Sequence, residues 1–236
     1  MANRLLIHGT FVLLVCGVFA SAGVRAVEIT VPNPRGFIEA SAVSDKVRAT
    51  ATAALSPEAR LLGAYYPTNA LAEILNHGFS EFGPFCRAVV QREYKSSSAA
   101  KKAFATLVAN AKKEVGSKFD LKNKNIQLIL KNAEQAARKV DPSISVKMKG
   151  STVLGSLIDD ETTFAVCMLV NFSWSDGQTT TQVPYVFAVA FTRFDTRQID
   201  FSTHYPFTGE SSVNLANQKL TEWLRQVREV NKIDGK

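Results

Sequence analysis

The sequence predicts an α+β fold: an antiparallel β-meander packed against helices, with a helix at the C-terminal end. Three strand patterns follow one another from Thr162 to Tyr205, separated only by the short turn signals Ser175-Asp176-Gly177 and Asp195-Thr196. Helical periodicity lies before and after this stretch rather than between its strands. Runs of strands followed by helices are typical of α+β proteins.

The three strands of the meander differ in the polarity of their faces. Residues 162–174 and 181–193 carry apolar side chains at alternate positions on both faces, so we expect both strands to be covered on both sides. Residues 197–205 alternate cleanly, with one apolar and one polar face. This alternation predicts a strand with one wet face, nearer the edge of the sheet. Its polar face carries Gln198, Asp200, Ser202 and His204.

Weaker strand signals and several helices complete the chain. A 3.6-residue repeat of apolar residues predicts a long helix that begins at the serines 96–98. The last helix begins at Ser211 or Ser212, which are good capping residues. Further strands are predicted at 27–31, 59–66, 85–92, 143–149 and 151–158, and further helices at 45–55, at 70–77 and at 121–140.

The N-terminus has the three regions of a secretory signal peptide. A short basic start is followed by an apolar stretch at Leu5–Ala20 and then by small residues. Cleavage after Ala22 or after Ala26 fits the small-residue rule, and we favour Ala26. An uncleaved anchor, or a lipid-modified Cys16, are the alternatives. The sequence thus predicts a signal peptide at 1–26 and a periplasmic or secreted α+β domain at 27–236, whose first part, 27–58, is either structured or an irregular arm.

The positive charge of the chain is concentrated in its middle. The formal net charge of +7 falls to +5 without Arg4 and Arg25. Residues 87–150 carry 15 basic and 5 acidic residues, a net charge of +10. Such a region attracts anionic partners, here an envelope protein, an anionic membrane surface or a cell-wall polymer. We exclude nucleic acid, because the protein is exported and aromatics do not interleave with the basic residues. The candidate binding residues are Lys101, Lys102, Lys112, Lys113 and Lys118; lysines that only solvate two helices are the alternative.

The mature chain has two cysteines, Cys86 and Cys167, both within apolar strand patterns. In an oxidising compartment they can form a disulfide, which would stabilise the fold by about 4–5 kcal/mol through the closure of a long loop. Two buried free thiols, behaving as small apolar residues, are the alternative. The sequence does not decide between them.

The sequence contains few candidates for catalytic or metal-binding residues. Asp200, Ser202 and His204 share a strand face, but a catalytic triad also needs a nucleophile on a strained turn and an oxyanion hole. The sequence has no G-x-S-x-G, no H-E-x-x-H, no CxxC and no phosphate-binding glycine loop. We therefore predict no catalytic residue, no metal and no cofactor.

The C-terminal half resembles the PsbP-like group of small lumenal and periplasmic proteins. The resemblance lies in the pattern FAVCMLVNFSW, PYVFAVAFTR and RQIDFSTHYPF, followed by the helix SSVNLANQKLTEWLRQV. It implies an antiparallel sheet flanked by helices and a role in binding rather than catalysis. We accordingly predict an exported bacterial accessory or binding protein. An envelope hydrolase that uses the polar strand face, and a carrier of an apolar ligand between sheet and helices, are the alternatives.

Overall fold

The computed structural model describes residues 29–53, 55–77, 83–114, 135, 145–175 and 178–232. It confirms the α+β class, with an antiparallel sheet, flanking helices and a C-terminal helix. The strands are β1 (Phe37–Glu39), β2 (Arg60–Pro67), β3 (Phe85–Glu93), β4 (Ser145–Asp159), β5 (Thr163–Ser175), β6 (Thr180–Phe194) and β7 (Arg197–Pro206). The helices are α1 (Ala40–Val43), α2 (Asp45–Ala53), α3 (Leu71–His77), α4 (Ser97–Glu114) and α5 (Glu210–Val230), and Thr68–Ala70 form a 3₁₀ turn.

The described strands form one sheet in the order β1-β2-β3-β7-β6-β5-β4, with every neighbouring pair antiparallel. The predicted meander is the run β5-β6-β7, and β4 extends it by one strand. The last strand of the meander then pairs with β3, which joins the two parts of the chain. Consequently β7 lies in the middle of the sheet.

Helix α5 covers one face of the sheet. Its apolar side packs on the side chains of five strands around Trp223, which is fully buried against the rings of Tyr65 and Phe201. The N-terminal segment packs against the same core cluster and is hydrogen-bonded to this helix. Trp223 Nε1 donates to the carbonyl of Pro32 at 2.7 Å, and Asn231 exchanges two hydrogen bonds with the backbone of Thr30. The two ends of the domain are therefore fastened together.

The opposite face of the sheet is covered at two separate places. Near β2, the short helices contribute Ala40, Val47 and Ile74 to a core cluster with Ala64 and Tyr66. On the other side, Phe104 of α4 packs with residues of β4 and β5, namely Val153, Phe164 and Val166. Between these two clusters lies the part of the face that β3 and β7 provide.

Three sequence predictions about the strands were wrong. Residues 29–31 are not a strand, and the strands expected at 143–149 and 151–158 are one strand, β4. Its register shifts at Met148/Gly150, Val153/Gly155 and Ser156/Ile158 show that the glycines belong to bulges rather than to breaks. The third error concerns β7, which is central and not near an edge. Alternation reports the polarity of a strand face and says nothing about whether another strand lies beside it.

The N-terminal part of the domain is more regular than an arm. Between Phe37 and Ala53 it contains β1, α1 and α2. Strand β1 pairs with β2, and the side chains of Ala40 and Val47 are fully buried. The signal peptide predicted at 1–26 lies outside the described residues, and so does the helix predicted at 121–140 apart from Gln135.

Candidate functional site

Four polar residues of β3 and β7 meet on the sheet face opposite α5. Arg87 pairs with Ser202, and the neighbouring pairs are Val89 with Asp200 and Phe85 with His204. Because successive side chains of a strand alternate between faces, Arg87, Asp200, Ser202 and His204 all point away from α5, whereas Cys86, Ala88 and Phe201 point towards it. We call these four residues the polar sheet site.

His204 is held between two aromatic rings. Its imidazole stacks on Phe85, with a centroid distance of 4.0 Å and an interplanar angle of 9°, and it meets Phe187 edge-on at 4.2 Å. Nε2 shares a hydrogen bond of 2.8 Å with Ser202 Oγ. Nδ1 is buried and has no hydrogen-bond partner among the described residues. Burial, and the positive charge of Arg87, hold the pKa of His204 well below its usual value, so the ring is neutral at physiological pH.

Arg87 and Asp200 give the site its charge. Burial lowers the pKa of the Arg87 guanidinium, although Asp200 and Tyr66 act in the other direction. Its Nε is buried and lacks a hydrogen-bond partner within the described part of the chain. Burial also raises the pKa of Asp200 to about 7, against the opposing effects of hydrogen bonds from Gln198 and Gln91 and of the charge on Arg87. Near neutral pH, Asp200 therefore offsets only part of the positive charge of Arg87.

An aromatic row lies beside these charges and crosses the sheet. Tyr66 on β2 stacks with Phe85 on β3 at 6.1 Å, and His204 on β7 connects Phe85 with Phe187 on β6. Phe187 continues the row to Tyr185 and Phe172 at 6.2 and 5.8 Å. We call Tyr66, Phe85, His204, Phe187, Tyr185 and Phe172 the aromatic row. These six rings extend across five strands of the sheet.

The geometry of the polar sheet site is not that of a catalytic triad. A triad aspartate accepts a hydrogen bond from the Nδ1 of its histidine, whereas Asp200 accepts one from Gln198 Nε2 at 3.3 Å. Ser202 lies in the middle of β7, where its backbone belongs to the ladder with β3 and β6 and cannot form an oxyanion hole. His204 is also fixed between two rings. The arrangement of Asp200, Ser202 and His204 therefore differs from that of a catalytic triad.

The structure shows the polar face of β7 to be largely buried rather than wet. Ser202 and His204 are 7% and 5% exposed. Sequence analysis found the three residues on β7 but missed Arg87. The available signal was an arginine in the middle of the apolar strand Phe85–Val90. A charged side chain is costly to bury in such a strand unless it has a partner.

Four of the five predicted binding lysines lie on α4, and all four are exposed: Lys101, Lys102, Lys112 and Lys113. Lys112 Nζ lies 2.6 Å from Asp159 Oδ2 and near the ring of Phe164, so this lysine fastens α4 to the sheet. Lys118 lies outside the described residues. The helix therefore presents a basic surface, although one of its lysines has a structural partner.

Cys86 and Cys167 are free, buried thiols. They lie in one row of the sheet, in which Cys86 pairs with Thr203, Thr203 with Ala188, and Ala188 with Cys167. Three strand spacings amount to about 14 Å, far beyond the reach of a disulfide. The structure thus supports the alternative of two buried thiols. Burial raises the pKa of both, that of Cys167 to about 11.

Metal centres and membrane-spanning helices are two further features that the described residues allow us to assess. Its His, Cys, Asp and Glu residues form no group of three or more that could hold a metal ion. Of the helices in the same residues, none has the length and apolarity that crossing a membrane requires.

Comparisons with known proteins give little information. No protein-family model matches the chain, and no curated protein matches it. Among solved structures, the chain is similar to the Ran-binding protein Mog1p of Saccharomyces cerevisiae, with 10% sequence identity, a TM-score of 0.27, and coverage of 83% of this chain and 82% of that chain. At that TM-score the similarity carries no argument about fold or function.

Proposed function

We propose that the protein is an exported, non-catalytic binding protein that holds a small anionic ligand at the polar sheet site. One observation supports this most directly: two polar atoms on neighbouring strands, His204 Nδ1 and Arg87 Nε, are buried without partners among the described residues. Buried polar groups in native proteins nearly always have a partner, and a missing one costs about 1–3 kcal/mol. A ligand that accepts hydrogen bonds would supply it.

The electrostatics of the site favour an anion. Arg87 is charged, His204 is neutral, and Asp200 is only partly ionised near pH 7. A binding role fits this arrangement better than catalysis, since Ser202 and His204 lack the partners that a hydrolase needs. A binding role is also what the resemblance to the PsbP-like group implies. We further propose that the protein is exported after cleavage at Ala26. Mass spectrometry of the exported chain should find a mass that begins at Val27.

The binding proposal can be tested with a fluorescent aromatic sulfonate, 1-anilinonaphthalene-8-sulfonate. We expect saturable binding to the folded wild type, and binding about tenfold weaker in Arg87→Met, since the loss of a hydrogen-bonded charge costs about 1.5–3 kcal/mol. Arg60→Met is the matched control, because Arg60 is an exposed arginine of the neighbouring strand β2; its affinity should equal that of the wild type.

The urea midpoint of each variant shows whether it is folded. His204→Phe keeps a ring between Phe85 and Phe187 and removes both imidazole nitrogens, so it tests the same site if Arg87→Met does not fold. Its affinity for the dye should also fall. Equal affinity in wild type, Arg87→Met and His204→Phe would refute the proposal.

A second candidate function is contact with an anionic envelope surface through α4, because its exposed lysines share one helix. Retention on phosphatidylglycerol vesicles should fall when four of them are replaced by glutamine: Lys101, Lys102, Lys112 and Lys113. The control replaces four exposed lysines elsewhere: Lys46, Lys95, Lys147 and Lys149. Equal retention of both quadruple variants would contradict a role for α4.

A further inference from the structure

We propose that the ligand of the polar sheet site is a small aromatic carboxylate, whose carboxylate binds Arg87 and whose ring stacks on the aromatic row. This inference rests on the proposed function and specifies its ligand class. Two independent features carry it: the hydrogen-bonding groups of Arg87 and His204, and the continuous set of rings beside them.

The head group follows from the geometry of Arg87. A guanidinium presents its donors as a planar fork that matches the two oxygens of a carboxylate. One edge of this fork includes Nε, which is buried and has no partner among the described residues. His204 lies on the neighbouring strand, two residues beyond Ser202, which is the partner of Arg87. In the tautomer that carries its proton on Nδ1, it can donate to the same group. A monoanion matches this arrangement, because Arg87 carries one positive charge.

The body of the ligand follows from the aromatic row. Phe85 already stacks face to face on the imidazole of His204 at 4.0 Å, which shows that its face accepts a planar ring. On the β2 side of Phe85, Tyr66 is further away, with a centroid distance of 6.1 Å and an angle of 29°. Phe85 and Phe187 are only partly buried, whereas His204 between them is buried. A flat ring can therefore lie against exposed parts of the row while its carboxylate reaches Arg87.

The experiment measures displacement of the fluorescent sulfonate from the wild-type protein, after the comparison with Arg87→Met has shown that the dye binds at the polar sheet site. The competitors are phenylacetate, cyclohexylacetate and phenylacetamide. Cyclohexylacetate keeps the carboxylate but has a saturated ring, and phenylacetamide keeps the ring but has no charge. We expect phenylacetate to displace the dye at a concentration about threefold lower than cyclohexylacetate, because the ring–ring contact is lost with the latter. Phenylacetamide should need a concentration about tenfold higher than phenylacetate.

The outcomes separate this inference from the proposed function. Equal displacement by cyclohexylacetate would overturn the aromatic ring as the ligand body, and equal displacement by phenylacetamide would overturn the carboxylate. Failure of all three competitors to displace a dye whose binding depends on Arg87 would also overturn the inference. In each of these cases an effect of Arg87→Met on dye binding would leave the proposed function standing. Dye binding that does not depend on the site would remove both.

Discussion

Replacement of Asp200 by asparagine should stabilise the protein at neutral and alkaline pH. Burial raises the pKa of this carboxyl to about 7 from an ordinary value of 3.8. Ionisation is therefore less favourable in the folded than in the unfolded protein. A difference of about three units between the pKa values of the folded and unfolded states lowers the free energy of unfolding by about 4 kcal/mol at a pH where the group is ionised in both states. Since Asp200 is partly exposed, solvent reduces this cost. We expect Asp200→Asn to raise the free energy of unfolding by about 1–3 kcal/mol at pH 8.

The pH dependence distinguishes this cause from a change in packing. Below the unfolded pKa, near 4, the carboxyl is protonated in both states, and the two proteins should be about equally stable. Between about pH 4 and 7 the folded state binds more protons than the unfolded state, so wild-type stability falls as the pH rises. Above about pH 7 the difference in free energy of unfolding between Asp200→Asn and the wild type should stay constant. Urea unfolding of both proteins across this range, followed by tryptophan fluorescence, measures it. A difference that does not change with pH, or that favours the wild type at high pH, would refute the reasoning.

Three further predictions concern other parts of the fold. Burial opposes the ionisation of Asp160, but hydrogen bonds from Arg228 and from two backbone amides outweigh it and lower the pKa. Asp160→Asn should therefore lower the free energy of unfolding by about 1–3 kcal/mol at neutral pH. This loss should disappear as the pH falls through the lowered pKa, so the effect is opposite in sign to that at Asp200. Trp223→Phe should lower the free energy of unfolding by about 1–3 kcal/mol in urea titrations, because it removes the hydrogen bond to Pro32 from a fully buried ring; an unchanged midpoint would contradict this. The thiols of the mature chain, Cys86 and Cys167, should react with a disulfide reagent at pH 8 only in urea, because both are buried and have raised pKa values; reaction in the native protein would contradict their burial.

The sequence was sufficient for the class of the fold because the relevant signals are local. The long strands β5 and β6 are apolar on both faces, and helix α5 has a clear apolar side, so their burial follows from periodicity alone. The pairing of β3 with β7 joins residues more than a hundred positions apart. Nothing in either strand's own pattern indicates that partner. The central position of β7 was missed for this reason, and with it the burial of His204.

The candidate site shows the same division between local and distant information. Alternation along β7 placed Asp200, Ser202 and His204 on one face, as the structure shows. Arg87 could join them only through the pairing between β3 and β7, which the sequence does not reveal. The disulfide hypothesis depended on distance too. Cys86 and Cys167 do face the same side, but two other strands lie between theirs.

The buried carboxyl of Asp200 links the stability of the protein to its proposed binding of an anion. An asparagine at this position could also bond to Gln198 and Gln91, at less cost in stability above pH 7. The carboxylate differs in that it reduces the positive potential at Arg87 as it ionises. Tyr66, with a pKa raised to about 12, and His204, which stays neutral, do not change charge between about pH 6 and 8. Wild-type affinity for the sulfonate dye should therefore fall as the pH rises across this range, whereas that of Asp200→Asn should stay constant. An equal pH dependence in both proteins would show that Asp200 does not control the charge of the site.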